Sequence, residues 1–154
     1  MNGRLVFLSS LDRNGRLFRI CLGVFSSLDP RQWSAERIIH SLDVLHYDCL
    51  VYTDNESLVA AVAFNPDREE NIAKAFLVFT GSLYREKGMG KFIVAQFLRW
   101  AFDNGFVGAQ VGLGNDDAVV AILKSLKKKQ DEFELSFADI NPETGGIIFK
   151  KGSK

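Results

Sequence analysis

Apolar positions along the chain change period several times, and each change predicts a different element. Near the N-terminus, LVFL and LFRICLGVF flank the segment at residues 12–15. Because the Asn-Gly pair in that segment is a strong hairpin signal, the pattern predicts two strands joined by a turn. Asp29 and Pro30 then predict the start of a helix, with Asp as the N-cap and Pro in the first helical position.

Short apolar runs in the middle of the chain predict a three-stranded meander. CLVYT and SLVAAVAF flank residues 54–56, which predict a hairpin turn. Asn65 and Pro66 are expected to end the second strand, and the charged run at residues 67–71 is expected to be a solvated turn. The third strand covers residues 72–79.

The stretch from residue 76 to residue 101 combines a strand, a glycine-bearing turn and a helix. Its apolar residues first form a short continuous run, and after the polar turn they recur every fourth residue at Met89, Ile93, Phe97 and Ala101. That spacing places them on one face of an amphipathic helix. Asn104 and Gly105 predict its C-terminal end.

The C-terminal third predicts a strand at residues 109–113, a helix opening at residues 114–117, and a final pair of strands in FELSF and IIFK. The fold class expected from this order is α/β (α+β), with a mixed, mostly antiparallel sheet flanked by helices. With 154 residues, the chain is expected to form a single domain over residues 1–154.

Composition narrows the classes of function. Nineteen basic and nineteen acidic side chains cancel, so the charge indicates neither a nucleic-acid nor a membrane partner. The two cysteines lie in apolar surroundings, which favours buried free thiols and a cytoplasmic protein without a metal site. His40 and His46 lack triad or metal-ligand spacing, so we expect structural or solvent-facing roles for both.

The glycine-bearing turn before the helix is the segment most suited to bind a ligand. Gly88 and Gly90 have no β-carbon, so a ligand can approach the backbone where the first helical amides are unpaired. Those amides and the helix dipole favour an anion, above all a phosphate, and Arg85, Lys87 and Lys91 add positive charge. The alternative is that the glycines serve only the turn and the basic residues only face water.

The pattern Arg85-x-x-Gly88-x-Gly90, preceded by Tyr84 and an apolar strand, resembles the signature of the GNAT superfamily of acyl-CoA-dependent N-acyltransferases. The order of elements resembles that family across nearly the whole chain. A P-loop would instead need four residues between its glycines followed by Gly-Lys-Ser/Thr, and a dinucleotide fingerprint would need three spaced glycines in an early βαβ unit.

The resemblance implies acetyl-CoA as cosubstrate and a small-molecule or peptide amine as acceptor, in a monomer or homodimer. In the family the signature strand splays from the next strand and the turn binds the pyrophosphate of coenzyme A, while an Asn after the following strand contacts the pantetheine arm or orders the next helix. Carried onto this chain, the cofactor-binding residues are Phe79, Thr80, Ser82, Arg85, Glu86, Lys87, Gly88, Met89, Gly90, Lys91 and Asn115.

Two departures from the family pattern concern proton transfer. The helix position at which many members carry a tyrosine is Ile122, and the signature strand holds no acidic residue. The remaining catalytic candidates are Glu70, Asp67 and Ser82. The alternative function is therefore a non-catalytic module of this fold that binds acyl-CoA or a protein partner.

Overall fold

The structure is a computed structural model that describes residues 3–28, 33–55, 57–85, 87–112, 135–141 and 146–151. In these ranges, three α-helices accompany a sheet of seven strands. The helices are α1 (Arg16–Leu28), α2 (Ala35–Asp43) and α3 (Met89–Asp103). The strands are β1 (Gly3–Phe7), β2 (Asp48–Asp54), β3 (Ser57–Asp67), β4 (Ile72–Thr80), β5 (Gly108–Gly112), β6 (Leu135–Asn141) and β7 (Gly146–Lys151).

The strands follow the order β1-β2-β3-β4-β5-β7-β6 across the sheet. Neighbouring strands are antiparallel except β4 and β5, which are parallel. The predicted class, a mixed and mostly antiparallel sheet flanked by helices, is confirmed. The meander β2-β3-β4 and the closing pair β6-β7 are also as predicted.

The sheet separates two hydrophobic clusters. On one face, α3 buries Ile93, Phe97 and Leu98 against β3, β4 and β5. On the other face, α1 and α2 pack against β2 and β3 through Phe18, Cys21, Phe25, Ile38 and Leu42. Each helix therefore buries one stripe, as an amphipathic helix on a sheet must.

The prediction of a strand at residues 17–25 is wrong, because this segment lies within α1. Phe18, Cys21 and Phe25 are its buried residues, and their i, i+3, i+7 spacing is that of a helix. The Asn-Gly pair does not form a hairpin. Asp12 Oδ1 accepts a hydrogen bond from Asn14 N at 3.1 Å, and Gly15 O accepts one from Arg19 N, so the turn leads into the helix.

The predicted helix start at Asp29 and Pro30 lies outside the described residues, but the helix that contains Ile38 and Leu42 does not reach back to it. Helix α2 begins at Ala35, and its N-cap is Ser34, whose hydroxyl accepts a hydrogen bond from Arg37 N at 3.3 Å. Trp33 precedes the helix. Ser34 satisfies an amide of the first turn, which is the role assigned from the sequence to Asp29.

The sequence predicts that β3 ends at Asn65 and Pro66, and this prediction is wrong. The strand continues to Asp67. Its pairing with β2 reaches only Phe64, whereas its pairing with β4 continues through Pro66. Pro66 therefore lies where β3 has a neighbour on one side only, which is the kind of strand position that tolerates proline.

Strand β6 extends beyond the predicted FELSF segment to Asn141, with an irregularity in its pairing to β7 between Phe137 and Ile140. The helix predicted after residue 114 lies outside the described residues, as do Glu86 and Asn115.

Candidate active site

Strands β4 and β5 form a fork. They pair from Ile72 with Gly108 to Ala75 with Val111, and β4 then continues to Thr80 without a partner on this side among the described residues. On its other side β4 remains paired with β3 as far as Thr80 opposite Ala60. The peptide groups of residues 76–80 that point away from β3 therefore have no strand partner within the described ranges, and unpaired backbone groups of this kind can hydrogen-bond a ligand. The β4–β5 pairing thus ends at Ala75 and Val111, where the family resemblance leads us to expect the two strands to separate.

Phe76 is a bulge residue at the base of the fork. The β3–β4 register pairs Ala63 with Leu77 and Phe64 with Ala75, so it skips Phe76. An extra residue reverses which side chains face which side of the sheet. Ala73 and Ala75 accordingly pack in the α3 cluster, whereas Leu77 and Phe79 pack in the cluster of α1 and α2.

A tight turn connects β4 to α3. Gly81 N donates to Val59 O at 2.8 Å, and a β-carbon at Gly81 would lie 3.1 Å from Leu58 O. A short 3₁₀-helix, Ser82–Tyr84, follows. Gly88 is the N-cap of α3 with φ of 78°, a left-handed conformation that favours glycine. The glycine thus sets the direction in which the helix begins.

The N-terminus of α3 has the features of an anion site. Phe92 N donates to Gly88 O, so the amides before Phe92 precede the helical hydrogen-bond ladder. No side chain of the described residues caps this end, and the first turn of α3 contains no acidic residue. Arg85, Lys87 and Gly88 are exposed beside it. The positive end of the helix dipole therefore faces an open and basic surface.

The structure brings most of the predicted cofactor residues together along one path. Phe79 and Thr80 end β4, Ser82 is exposed in the 3₁₀-helix, and residues 85–91, with Glu86 not described, lead into α3. The side chain of Phe79 packs on Phe25, with ring centroids 6.3 Å apart. Its ring thus packs on the α1 and α2 side of the sheet, and its backbone groups are the part expected to contact a ligand in the fork.

A family model with the description Acetyltransferase (GNAT) family matches residues 16–124. The chain belongs to the GNAT acetyltransferase family. This match confirms two predictions from the sequence: membership of the GNAT superfamily and an acetyltransferase.

Solved structures of GNAT proteins share the fold at low sequence identity. GCN5 of Tetrahymena has 12% identity and a TM-score of 0.68, over 98% of both chains. The ribosomal-protein-S18-alanine N-acetyltransferase of Escherichia coli has 13% identity and a TM-score of 0.66, over 99% of this chain and 96% of its own. The PaiA N-acetyltransferase of Thermoplasma acidophilum, solved with coenzyme A, has 12% identity and a TM-score of 0.62, over 99% of this chain and 100% of its own. A search of curated proteins found no match.

The candidate bases Asp67 and Glu70 lie at the other end of β4 from the GNAT turn. Asp67 pairs with Ile72, at the closed end of the fork, and the length of β4 separates that pair from Thr80 by roughly 26 Å. Lys74 Nζ lies 3.1 Å from Asp67 Oδ2 and 3.0 Å from Glu70 Oε2. The structure therefore does not bring these carboxylates together with Ser82.

The hydrogen bonds among Asp67, Glu70 and Lys74 also shift the pKa values of Asp67 and Lys74. A backbone hydrogen bond from Glu70, together with Lys74, lowers the pKa of Asp67. The hydrogen bonds to Glu70 and Asp67 raise the pKa of Lys74. A carboxylate with a lowered pKa is a weaker base, so the environment of Asp67 disfavours proton abstraction near neutral pH.

Both cysteines of the chain are free and buried, as predicted. Burial raises the pKa of the Cys21 thiol to about 11 and that of Cys49 well above its usual value. Both thiols are therefore protonated near neutral pH, and neither has the thiolate character of a nucleophile.

An apolar pocket beside the fork was not predicted from the sequence. It lies on the face covered by α1 and α2, has a volume of about 40 Å³, and includes Trp33, Tyr47, Phe76 and Leu77 in its wall. Its four aromatic residues, Phe25, Trp33, Tyr47 and Phe76, come from four separate segments, and only the tertiary fold brings them together. Their spacing in the sequence carries no signal of this contact.

Neither a membrane-spanning helix nor a metal site is found within the ranges that the structure describes. None of the helices there is long and apolar enough to cross a membrane. No group of His, Cys, Asp and Glu side chains in those ranges could hold a metal ion.

Proposed function

We propose that the protein transfers an acyl group, acetyl in the first instance, from acyl-CoA to a primary amine. The observation that carries the proposal is the fork at residues 76–80, which leads directly into the glycine-capped N-terminus of α3. An extended arm fits the open edge of β4, and a pyrophosphate fits the amides and positive dipole at the helix end. The CoA-bound structure of the PaiA enzyme, which shares this fold, supports the same assignment.

The roles follow the path of the ligand. Backbone groups of Phe79 and Thr80 and the region of Ser82 would hold the pantetheine arm and polarise the thioester carbonyl. The amides of residues 85–91 would bind the pyrophosphate, including those of Glu86, Met89 and Gly90, with Arg85, Lys87 and Lys91 adding positive charge. Asn115 is proposed to contact the pantetheine arm or to order the helix that follows it.

In the reaction, the neutral amine attacks the thioester carbonyl carbon to give a tetrahedral intermediate. This intermediate collapses to an amide and expels the CoA thiolate, and the proton lost by the amine nitrogen passes to solvent. Donors aimed at the developing oxyanion supply the main stabilisation in such a step. Ser82 is exposed next to the fork and is the remaining candidate for relaying a proton.

A non-catalytic role in binding acyl-CoA or a protein partner is the second candidate. The observation that favours it is the location of Asp67 and Glu70, which are bonded to Lys74 far from the turn. A protein of this kind would bind acyl-CoA and leave the thioester intact.

The test is release of free CoA from acetyl-CoA with a panel of amines: simple alkylamines, aminoglycosides, and peptides with a free N-terminus or lysine. The proposal expects sustained release with at least one class of amine, above the rate of hydrolysis without an amine. Binding of acetyl-CoA without release for any amine would contradict it and favour the second candidate. A protein that neither binds nor cleaves acetyl-CoA would contradict both.

A further inference from the structure

The apolar pocket lies beside the strand edge that would hold the thioester. Phe76 and Leu77 form part of its wall, and they are the first residues of β4 after its pairing with β5 ends at Ala75. Phe76 remains 41% exposed, whereas Phe25 and Cys49 in the same wall are buried. The pocket is therefore closed at its inner end and accessible next to Phe76, at the base of the fork.

A row of three side chains forms the floor of the pocket. Cys49 of β2, Ala63 of β3 and Leu77 of β4 are paired side by side across the sheet, and all three lie in the pocket wall. Ala63 is the smallest of them, and it is half-buried although Val62 and Phe64 on either side of it are buried. The space in the pocket thus lies over a small side chain in the middle of the row.

Polar groups in the pocket wall already have protein partners. Ser41 Oγ donates to Arg37 O at 2.9 Å. Asp48 Oδ1 accepts from Ser9 N and Cys49 N, and Asp48 Oδ2 accepts from Ser9 Oγ. A buried water needs several polar partners, and a charged group would lose its hydration with little compensation. An alkyl group instead gains from transfer into such a site.

We propose that this pocket binds the alkyl end of the acyl group and limits the donor to acetyl-CoA and propionyl-CoA, with Ala63 setting the limit. The inference rests on the proposed function, because it places the thioester carbonyl at the fork. A cavity of about 150 Å³ holds benzene, which has six carbon atoms, so a pocket of about 40 Å³ has room for one or two. The methyl group of acetyl or the ethyl group of propionyl fits this space. The propyl group of butyryl exceeds it.

The first test compares acetyl-CoA, propionyl-CoA and butyryl-CoA as donors to one amine, the best acceptor in the panel described above. The kcat/KM for propionyl-CoA is expected to be close to that for acetyl-CoA. The value for butyryl-CoA is expected to be lower by about tenfold or more, which is the effect of one methylene group in an apolar pocket. Equal values for all three donors, or a propionyl-CoA value as low as that for butyryl-CoA, would overturn the inference.

A pocket-filling variant tests the role of Ala63. Ala63→Val adds two carbon atoms to the floor, and the matched control is Ala61→Val on the same strand. Ala61 packs in the same hydrophobic cluster but lies in the neighbouring row, between Val51 and Phe79. The measured quantity is the ratio of kcat/KM for propionyl-CoA to that for acetyl-CoA, because a loss of folded protein lowers both values alike. Ala63→Val is expected to lower this ratio about tenfold and Ala61→Val to leave it unchanged. Equal ratios in the two variants would contradict a role for Ala63.

A pocket-enlarging variant tests the opposite change. Leu42 lies in the pocket wall on α2, and Leu42→Ala removes three carbon atoms from it. The ratio of kcat/KM for butyryl-CoA to that for acetyl-CoA is expected to rise about tenfold. An unchanged ratio would contradict the assignment, and this result does not depend on whether Ala63→Val folds.

Calorimetric titration of the three thioesters into the wild type, without an amine, separates the pocket from catalysis. The affinity is expected to fall about tenfold between propionyl-CoA and butyryl-CoA. That fall without CoA release for any amine would retain the pocket and contradict the proposed function. Equal affinities for all three thioesters would overturn the pocket assignment even if CoA is released, and binding of none of them would contradict both.

Discussion

At the scale of single residues, Phe76 links the fork to the pocket. As the bulged residue of β4 it changes the side of the sheet on which Leu77 and Phe79 lie, and its own ring stacks on Trp33. The sequence predicts a strand here because the run is apolar and short. It does not predict the bulge, since a bulge is defined by the partner strand and not by the run itself.

The location of Asp67 and Glu70 leads to a prediction about pH. With both carboxylates bonded to Lys74 at the closed end of the fork, neither is expected to accept the proton of the amine. Because a lysine-like amine has a pKa of about 10.4, kcat/KM should rise with pH toward that value. Asp67→Asn and Glu70→Gln are expected to change kcat/KM by less than about tenfold, or about 1.4 kcal/mol in barrier.

The measurement is the pH profile of CoA release for the wild type and both variants. An inflection between pH 6 and 8 that disappears in either variant would show that the carboxylate acts as a base.

At the scale of elements, the glycine turn and the meander could be predicted and α1 could not. The role of Gly88 and Gly90 can be predicted from their neighbours alone, because a helix N-terminus is built from consecutive residues. Residues 17–25 are apolar enough to fit either the two-residue period of a strand or the 3.6-residue period of a helix. The Asn14–Gly15 pair favours the hairpin, and hence the strand. What decides between strand and helix is burial of Phe18, Cys21 and Phe25 against β2 and β3, a contact distant in sequence.

The helical assignment of α1 predicts the effect of a substitution at Gly23. Gly23 lies within α1 and is exposed, and a β-carbon there would meet no atom within 4 Å. Gly23→Ala should raise the free energy of unfolding by about 0.5–1 kcal/mol, because alanine loses less conformational freedom in a helix. Urea unfolding of the two proteins measures the difference, and a destabilised variant would contradict the helix.

At the scale of the whole molecule, one sheet with a hydrophobic cluster on each face positions the fork between two helical layers. Local patterns predict that a closing strand pair exists, but they do not predict that β7 lies between β5 and β6. The pocket is also a product of this scale, since Trp33 and Tyr47 meet Phe76 only in the assembled sheet. The sequence therefore does not predict the parts of the site that depend on contacts between segments distant in the chain.

The buried thiols predict a loss of stability at alkaline pH. In the unfolded chain Cys21 would ionise near its ordinary pKa of 9.0, whereas in the folded protein its pKa is about 11. Because the raised folded pKa favours the protonated native state, this contribution is fully present below pH 9 and is lost as pH rises toward 11. Urea midpoints between pH 8 and 10.5 should fall less steeply in Cys21→Ala than in the wild type. Identical slopes would contradict this account.

The central claim is that the N-terminus of α3 binds the phosphates of acyl-CoA, and a comparison of two glycine variants tests it. Gly88 and Gly105 flank α3 with φ of 78° and 85°, and neither has an atom within 4 Å of an added β-carbon. Glutamate at either position therefore introduces similar backbone strain, about 1–2 kcal/mol, and the same charge. The two variants differ mainly in their distance from the proposed phosphate site.

The decisive measurement is calorimetric titration of acetyl-CoA into the wild type, Gly88→Glu and Gly105→Glu. The account predicts binding by the wild type and by Gly105→Glu with similar affinity. It predicts more than about tenfold weaker binding by Gly88→Glu, a loss above about 1.4 kcal/mol, because the carboxylate would repel and block the phosphates. Equal affinity in all three proteins, or no binding by the wild type, would contradict it.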